Sequence, residues 1–239
     1  MKVFVIEIAG ITLEVQAFYD FTYRMCIPYL ANGTPEFRVT VSRNEIEQEK
    51  NNDFNAKQKF SNADETYEFL ALLRKIADIM VDYHVLLIHG AAISLENRAY
   101  LFTGKSGTGK TTHIFKWLQH RPDLTIINGD KPFIKFGEFP TICGSPWCGK
   151  EGFYSNTIKP LSSIIALERS EDNHIQRMTF SEALPSLLQS IHIPNHSDKK
   201  IKAIKMLSQL DKKVVFYKYH MNNLKDDCFQ VIYDVLHGQ

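Results

Sequence analysis

The chain has 239 residues, 44% hydrophobic and 12% aromatic, which is enough apolar material for one large domain or two small ones. Its 28 basic and 27 acidic side chains leave a formal net charge of +1, so it lacks the overall field that attracts nucleic acid or anionic membrane. The first ten residues break their apolar run at Glu7 and Gly10 and predict neither a signal peptide nor a membrane span. We therefore expect a cytoplasmic protein that recognises its partners through local sites.

Residues 1–82 predict a small β-rich subdomain followed by a linking helix. Three segments rich in β-branched residues, KVFVIEI, ITLEVQAF and FRVTVS, are expected to form a small sheet. The polar stretch 44–59 has few apolar residues and is interpreted as a loop or solvated edge. Apolar residues at three- and four-residue spacing then predict an amphipathic helix over 63–82.

Residues 83–239 change to the alternating strands and helices of an α/β nucleotide-binding domain. The predicted strands are VLLIH, AAISL, AYLFT, LTIIN, PFIKF, SSIIALE and VVFYKY, and the segment THIFKWLQ predicts a helix. Further helices are expected over 181–191, 198–210 and 227–236. In the second of these, we expect Ile201, Ile204 and Leu207 to be buried while the lysines face water.

The segment GKSGTGKT matches the phosphate-binding loop pattern GxxxxGK[ST] at every fixed position and lies between a predicted strand and a predicted helix. In that context glycines allow backbone N–H groups to surround phosphate oxygens at the helix start. We expect Lys110 to reach the β- and γ-phosphates and the Thr111 hydroxyl to bind Mg²⁺. The expected nucleotide-binding residues are Gly104, Lys105, Ser106, Gly107, Thr108, Gly109, Lys110, Thr111 and Thr112. The chain has no NKxD-type guanine-reading sequence, which favours ATP over GTP.

Two polar residues at strand ends are further site candidates. Asp130 follows LTIIN, where a carboxylate would lie beside the phosphates and bind Mg²⁺, although Asn-Gly-Asp is also a good turn sequence. His89 ends VLLIH and either contacts phosphate and moves a proton or is a structural histidine.

The segment GSPWCGKEG, residues 144–152, suggests a shaped loop beside the site. Lys150 is a candidate to bind a phosphate or carboxylate, and Glu151 to assist the metal. The alternative is a tight hairpin with a core tryptophan and two solvated charges.

In this order, the His89-Gly90 pair, the P-loop and the Asp130 strand resemble the HPr kinase/phosphorylase group, which shares its nucleotide-binding core with phosphoenolpyruvate carboxykinase. The resemblance is carried by IHGAAISLENRAYLFTGKSGTGKTTH, INGDKPFI and GSPWCGKEG, and covers about residues 83–170. It extends to small relatives similar to the kinases that modify ribosomal peptides such as lasso peptides. It implies an α/β fold with a P-loop core of this type beside the small N-terminal β-rich subdomain.

The activity implied by the resemblance is transfer of phosphate from Mg-ATP to a hydroxyl, typically serine of a peptide or protein, with a small hydroxyl metabolite as another acceptor. It places His89 near the transferred phosphate and makes Asp130 the metal ligand or base, with Lys150 and Glu151 as further catalytic candidates. Related kinases form oligomers, so a homo-oligomer is possible. Neither nucleic acid nor a membrane is an expected partner.

This chain departs from the group at the strand end, where two adjacent acids are usual but Gly129 and Lys131 flank Asp130. Either Glu151 or His89 then shares the work of one carboxylate, or the kinase activity is weakened. The same departure keeps open a nucleotide-responsive regulatory module with little or no kinase activity. A carboxykinase reaction is less favoured, because the chain is short and shows no convincing substrate and second-metal ligands.

Overall fold

A computed structural model describes residues 1–55 and 63–238 of the protein, which has a mixed α/β fold. The helices in the described residues are α1 (Asp20–Cys26), α2 (Arg43–Asn55), α3 (Asp64–Met80), α4 (Lys110–His120), α5 (Phe180–Ser190), α6 (Ser197–Ser208) and α7 (Cys228–His237). The strands are β1 (Lys2–Ile8), β2 (Ile11–Ala17), β3 (Phe37–Thr40), β4 (Val85–Leu87), β5 (Ala91–Leu95), β6 (Arg98–Thr103), β7 (Thr125–Asn128), β8 (Phe133–Lys135), β9 (Thr141–Cys143), β10 (Ile158–Arg169), β11 (His174–Met178) and β12 (Val215–Met221).

The first sheet has the order β1-β2-β3, and its strands match the three segments predicted from the sequence. Strand β2 pairs antiparallel with β1 and parallel with β3. Every second residue of β2 is buried, as the period of a strand with one covered face requires. These buried residues pack with α1 and α3 in one hydrophobic cluster.

Helix α1, which the sequence patterns do not predict, depends on a buried acid from another helix. The Glu68 carboxylate, on α3, is fully buried and accepts the backbone N–H groups of Phe18 (2.6 Å) and Tyr19 (3.2 Å). It also accepts the Thr22 hydroxyl at 2.7 Å. Since Tyr19, the residue that precedes α1, supplies no side-chain cap, Glu68 satisfies donors at this helix start.

The interpretation of 44–59 as a loop is wrong over its first part, because Arg43–Asn55 forms α2. Ser42 and Glu45 begin this helix with reciprocal hydrogen bonds: the Ser42 N–H donates to Glu45 at 2.7 Å, and the Glu45 N–H donates to the Ser42 hydroxyl at 3.2 Å. This is a capping box, whose Ser-x-x-Glu spacing is visible in the sequence. Arg74 on α3 pairs with Glu49 at 2.7 Å and joins the two helices. Residues 56–59 lie outside the described residues.

The second sheet has the order β4-β8-β9-β10-β6-β5-β7, with β12 beside β10 and β11 beside β12. Strand β10 is parallel to both β6 and β12, while the other pairs are antiparallel. One face is covered by α5 and α6, and the other by α4 and α7. Because β6, β10 and β12 run in the same direction, their carboxyl ends meet at one edge of this sheet.

The predicted buried face of α6 is partly wrong. Leu207 is fully buried, but Ile201 and Ile204 are 56% and 50% exposed, and Ala203 and Met206 are buried instead. The lysines explain the rotation of the helix: Lys199 and Lys202 contact the Asp82 carboxylate at 2.8 and 3.4 Å. These two lysines therefore face the protein rather than water alone.

The two sheets are joined by shared packing. Leu87, Phe133, Cys143 and Trp147, from the second sheet and its loops, belong to the same buried cluster as the first sheet and α3. A domain boundary near residue 82 remains a prediction. Within the described residues, no helix combines the length and apolar character needed to cross a bilayer.

Replacing Glu68 by Ala should lower the free energy of unfolding by about 2 to 3 kcal/mol, because three donors around α1 lose their acceptor. Urea unfolding measures this loss. The control, Glu65→Ala at a half-exposed position of the same helix, should cost less than about 1 kcal/mol. Equal losses in the two variants would contradict the capping role of Glu68.

Candidate functional site

The glycine-rich segment forms a strand-loop-helix unit in which β6 ends at Thr103 and α4 begins at Lys110. Gly104, Gly107 and Gly109 have φ angles of 148°, 79° and 106°, conformations that a side chain disfavours. A Cβ on Gly109 would also lie 2.5 Å from Nδ2 of Asn223. The loop therefore needs glycine for its backbone and for the close approach of a neighbouring side chain.

Lys110 is buried at the start of α4 and turned back onto the loop. Its Nζ donates to the carbonyl oxygens of Gly104 (2.8 Å) and Lys105 (3.4 Å). Burial lowers the pKa of Lys110, while the charge of Asp130 acts in the opposite direction. Thr111 is half-buried and Thr112 is exposed in the same helical turn.

The Asp130 carboxylate contacts two basic side chains, those of His89 and Lys131. His89 Nε2 is 3.1 Å from Asp130 Oδ1, and Lys131 Nζ is 3.2 Å from the same oxygen. Burial tends to raise the pKa of Asp130, but His89 and Lys131 outweigh it and lower that pKa to about 2. The carboxylate is therefore ionised at neutral pH, and its second oxygen, Oδ2, has no hydrogen bond within the described part of the chain.

Backbone contacts fix this arrangement. Asn128 Oδ1 accepts the N–H groups of Asp130 (2.8 Å) and Lys131 (2.7 Å), which is the turn suggested by Asn-Gly-Asp. The Gly90 N–H donates to the Asp130 carbonyl at 3.0 Å, and the His89 N–H donates to the Ser190 carbonyl at 2.7 Å. The turn interpretation and the site interpretation of Asp130 are therefore compatible.

The loop of residues 144–152 is anchored by its tryptophan. Trp147 stacks on Phe69 with ring centroids 4.8 Å apart, and its Nε1 donates to the Phe69 carbonyl at 2.7 Å. Lys150 and Glu151 are exposed at the far end of the loop. Gly149 has a φ of 78°, and a Cβ there would lie 3.2 Å from Asp130 Cβ and 3.5 Å from Glu151 Oε2. Gly149 thus lies close to both Asp130 and Glu151. The buried Trp147 agrees with the core tryptophan expected for a tight hairpin.

Two cavities meet at His89. The larger, of about 840 Å³, is lined by Gly104 to Thr108, by residues at the ends of β10 and β12, and by α5. The smaller, of about 210 Å³, lies between α3 and the end of α5 and includes Arg74, Lys131 and His192. Both are also lined by Gln189 and Ser190. The P-loop and His89 thus line the same cavity, and His89 also lines the second.

Sequence reasoning missed several residues of this region. Glu168, Arg169 and Lys218 line the larger cavity, and Lys218 Nζ pairs with Glu168 at 2.6 Å. Arg169 Nη2 donates to the Gly107 carbonyl at 2.5 Å, and Nε donates to the Thr108 carbonyl at 3.5 Å. No motif marks these positions. The sequence feature that could have predicted them is the change from apolar to charged residues at the end of IIALER, where the strand ends.

A buried chain of hydrogen bonds links the P-loop helix to α7. Trp117 Nε1 donates to His113 Nε2 at 3.0 Å, so the proton of the neutral ring lies on Nδ1, 3.6 Å from Cys228 Sγ. Cys228 Sγ donates to Asn223 Oδ1 at 3.2 Å, and Asn223 Nδ2 reaches the Gly109 carbonyl at 3.4 Å. Burial lowers the pKa of His113 to about 3, which keeps the ring neutral.

Within the residues that the structure describes, no three or more His, Cys, Asp or Glu side chains form a group able to hold a metal ion by themselves. A cation bound here would need oxygen ligands from outside the protein, such as phosphates and water.

No protein-family model matches the chain, and no curated protein matches it. Among solved structures it is similar to the HPr(Ser) kinase/phosphatase from Coxiella burnetii, with a TM-score of 0.37 and 9% sequence identity. The match covers 63% of this chain and 95% of that chain. This is a distant likeness of fold, and the chemistry proposed below rests on the site itself.

The buried neutral His113 should make the protein less stable in acid. Its pKa of about 3 lies below the ordinary value of about 6.5, so its contribution is complete above pH 6.5 and is lost as the pH falls. From about pH 7.5 to about pH 5, the unfolding free energy should fall by about 2 kcal/mol more in the wild type than in His113→Gln. Urea unfolding at the two pH values measures this difference. Equal falls in both proteins would contradict the buried neutral ring.

Proposed function

We propose that the protein is an ATP-dependent kinase that transfers the γ-phosphoryl group of Mg-ATP to a hydroxyl, most simply serine of a peptide or protein, or a small hydroxyl metabolite. The observation that carries this proposal is the cavity shared by the P-loop and His89. A glycine-rich loop at a helix start binds phosphate, and the paired histidine and carboxylate supply groups for proton transfer and metal binding.

Unpaired cations at the loop support a polyphosphate donor. In the described residues, neither Lys105 nor Lys110 has a carboxylate within ion-pair distance. Lys131 and Lys218 differ, because they pair with Asp130 and Glu168. An excess of positive charge beside a glycine-rich helix start suits the phosphate chain of a nucleotide.

The residues present fit a magnesium ion held between protein and phosphate. Thr111 would supply its hydroxyl and Asp130 its Oδ2, since His89 and Lys131 both contact Oδ1. The lowered pKa of Asp130 keeps this oxygen ligand charged. When bound, Mg²⁺ neutralises charge on the transferred phosphate.

His89 is the best-placed residue to take the proton of the attacking hydroxyl. Its Nε2 lies 3.1 Å from Asp130 Oδ1, so in the neutral tautomer with the proton on Nε2 the Nδ1 lone pair would accept a proton. Asp130 would then orient His89 through one oxygen and would be free to hold the metal through the other. This division of work would allow activity with Gly129 in place of a second acid, and it would leave Glu151 and Lys150 as additional contacts at the loop.

The smaller cavity is the proposed entry for the acceptor. It reaches His89 without any P-loop residue in its lining, and it combines Leu70 and Leu73 with the polar groups of Arg74 and His192. A serine side chain with its neighbours, or a small metabolite, fits a space of about 210 Å³. Donor and acceptor would thus approach His89 from the two cavities that it lines.

Transfer of label from γ-labelled ATP to hydroxyl acceptors, including peptides encoded by neighbouring genes, tests the proposal. Lys110→Ala should abolish labelling by removing a phosphate contact, and Asp130→Asn should lower turnover by about 100-fold or more. Asp211→Asn, an exposed substitution outside the site, should leave labelling unchanged.

A protein that binds ATP but labels no acceptor, and whose partner contacts survive in Asp130→Asn, would contradict the kinase proposal. That result would favour the nucleotide-responsive binding module.

A further inference from the structure

Arg169 contacts the P-loop from a neighbouring strand. It is the last residue of β10, which is parallel to β6, the strand that leads into the loop. Its guanidinium donates to two successive carbonyl oxygens, those of Gly107 and Thr108. The fixed fork of an arginine suits such a pair of acceptors, whereas a lysine amine offers a single nitrogen.

A hydrogen bond that holds a carbonyl oxygen also fixes the direction of the N–H group in the same peptide. In a trans peptide the C=O and the following N–H point in opposite directions across a planar unit. The structure contains no cis peptide bonds among its described residues. Because Arg169 holds the Thr108 carbonyl, the Gly109 N–H of the same peptide points away from the guanidinium. This N–H has no loop or turn carbonyl as its acceptor in the described residues, so it is available to a phosphate.

Neighbouring carbonyls of the loop are also held by side chains. Lys110 Nζ binds the Gly104 carbonyl at 2.8 Å, and Asn223 Nδ2 reaches the Gly109 carbonyl at 3.4 Å. Arg169 supplies the contacts at the tip of the loop, between these two positions.

Strand β10 does not need the Arg169 side chain to hold its place in the sheet. Strand β10 is already paired with β6 on one side and with β12 on the other. The Arg169 side chain is at an exposed position and, in the described residues, has no carboxylate partner that would fix it elsewhere. Its recorded hydrogen bonds all go to the P-loop.

We propose that Arg169 is a positioning residue that holds the tip of the P-loop in its phosphate-binding conformation before the nucleotide arrives. The inference rests on the proposed nucleotide-binding function and adds to it a residue outside the motif. A preorganised loop loses less conformational entropy on binding, so the effect should appear in nucleotide affinity. Because the Gly109 amide would contact phosphates common to both nucleotides, ADP and ATP should be affected alike.

Titration of wild type, Arg169→Ala and Arg169→Lys with MgADP and MgATP tests the assignment. Arg169→Ala should weaken both nucleotides by a similar factor of about 10 or more, and Arg169→Lys should restore only part of the loss. In the nucleotide-free protein, the amide resonances of Thr108 and Gly109 should shift in Arg169→Ala. Arg177→Ala, an exposed arginine on β11, should change neither affinity nor these resonances.

Affinities of Arg169→Ala within twofold of wild type would overturn the inference, and so would a loss confined to ATP, which would indicate direct contact with the γ-phosphate. Titration of Lys110→Ala shows whether a negative result concerns Arg169 alone or the proposed nucleotide-binding function as well. If Lys110→Ala binds MgADP as tightly as the wild type, the P-loop is not the nucleotide site. If Lys110→Ala loses binding but Arg169→Ala does not, only the role of Arg169 is wrong.

Discussion

The parallel pairing of β6, β10 and β12 is the constraint on which the candidate site depends. Thr103 of β6 is opposite Ala166 of β10, and Arg169 of β10 is opposite Met221 of β12. Because parallel strands deliver their carboxyl ends to one edge, the P-loop, Arg169 and the Asn222-Asn223 turn become neighbours although they are distant in sequence. The contacts of Arg169 and Asn223 with the loop follow from this topology.

A second set of contacts brings the proposed catalytic groups to the same place. The Asn128 side chain forms the turn that presents Asp130, and the Gly90 and His89 amides bind Asp130 and Ser190. The N-terminal part of the chain contributes as well, since Trp147 is anchored on Phe69 and α3 lines the smaller cavity. The small sheet and α3 are therefore part of the support of the site.

Much of the local structure could be predicted from the sequence, because strong hydrophobic periodicity and the P-loop pattern are local signals. The strand-loop-helix unit at Gly104, the helix over 63–82 and the three N-terminal strands are confirmed. Helix α1 could not be predicted, since its cap, Glu68, lies 50 residues from Phe18 in sequence. The capping box of α2 was a readable signal that its polar composition obscured. The burial of Ile201 was wrongly predicted because the lysines of α6 turn towards the protein to pair with Asp82. Helical periodicity carries no information about this tertiary contact.

Part of the site has a local sequence signal and part does not. His89, Asp130 and the P-loop residues lie at strand ends that the sequence predicts, whereas the positions of Arg169 and Asn223 depend on the order of the strands in the sheet.

The most direct measurement of the central claim is the mapping of backbone amide resonances during titration with MgATP. The account predicts coupled shifts in Gly104 to Thr111, His89 and Asp130, with one dissociation constant for all of them. Shifts confined to other regions, or different dissociation constants for the P-loop and the His89–Asp130 pair, would contradict a single phosphoryl-transfer site.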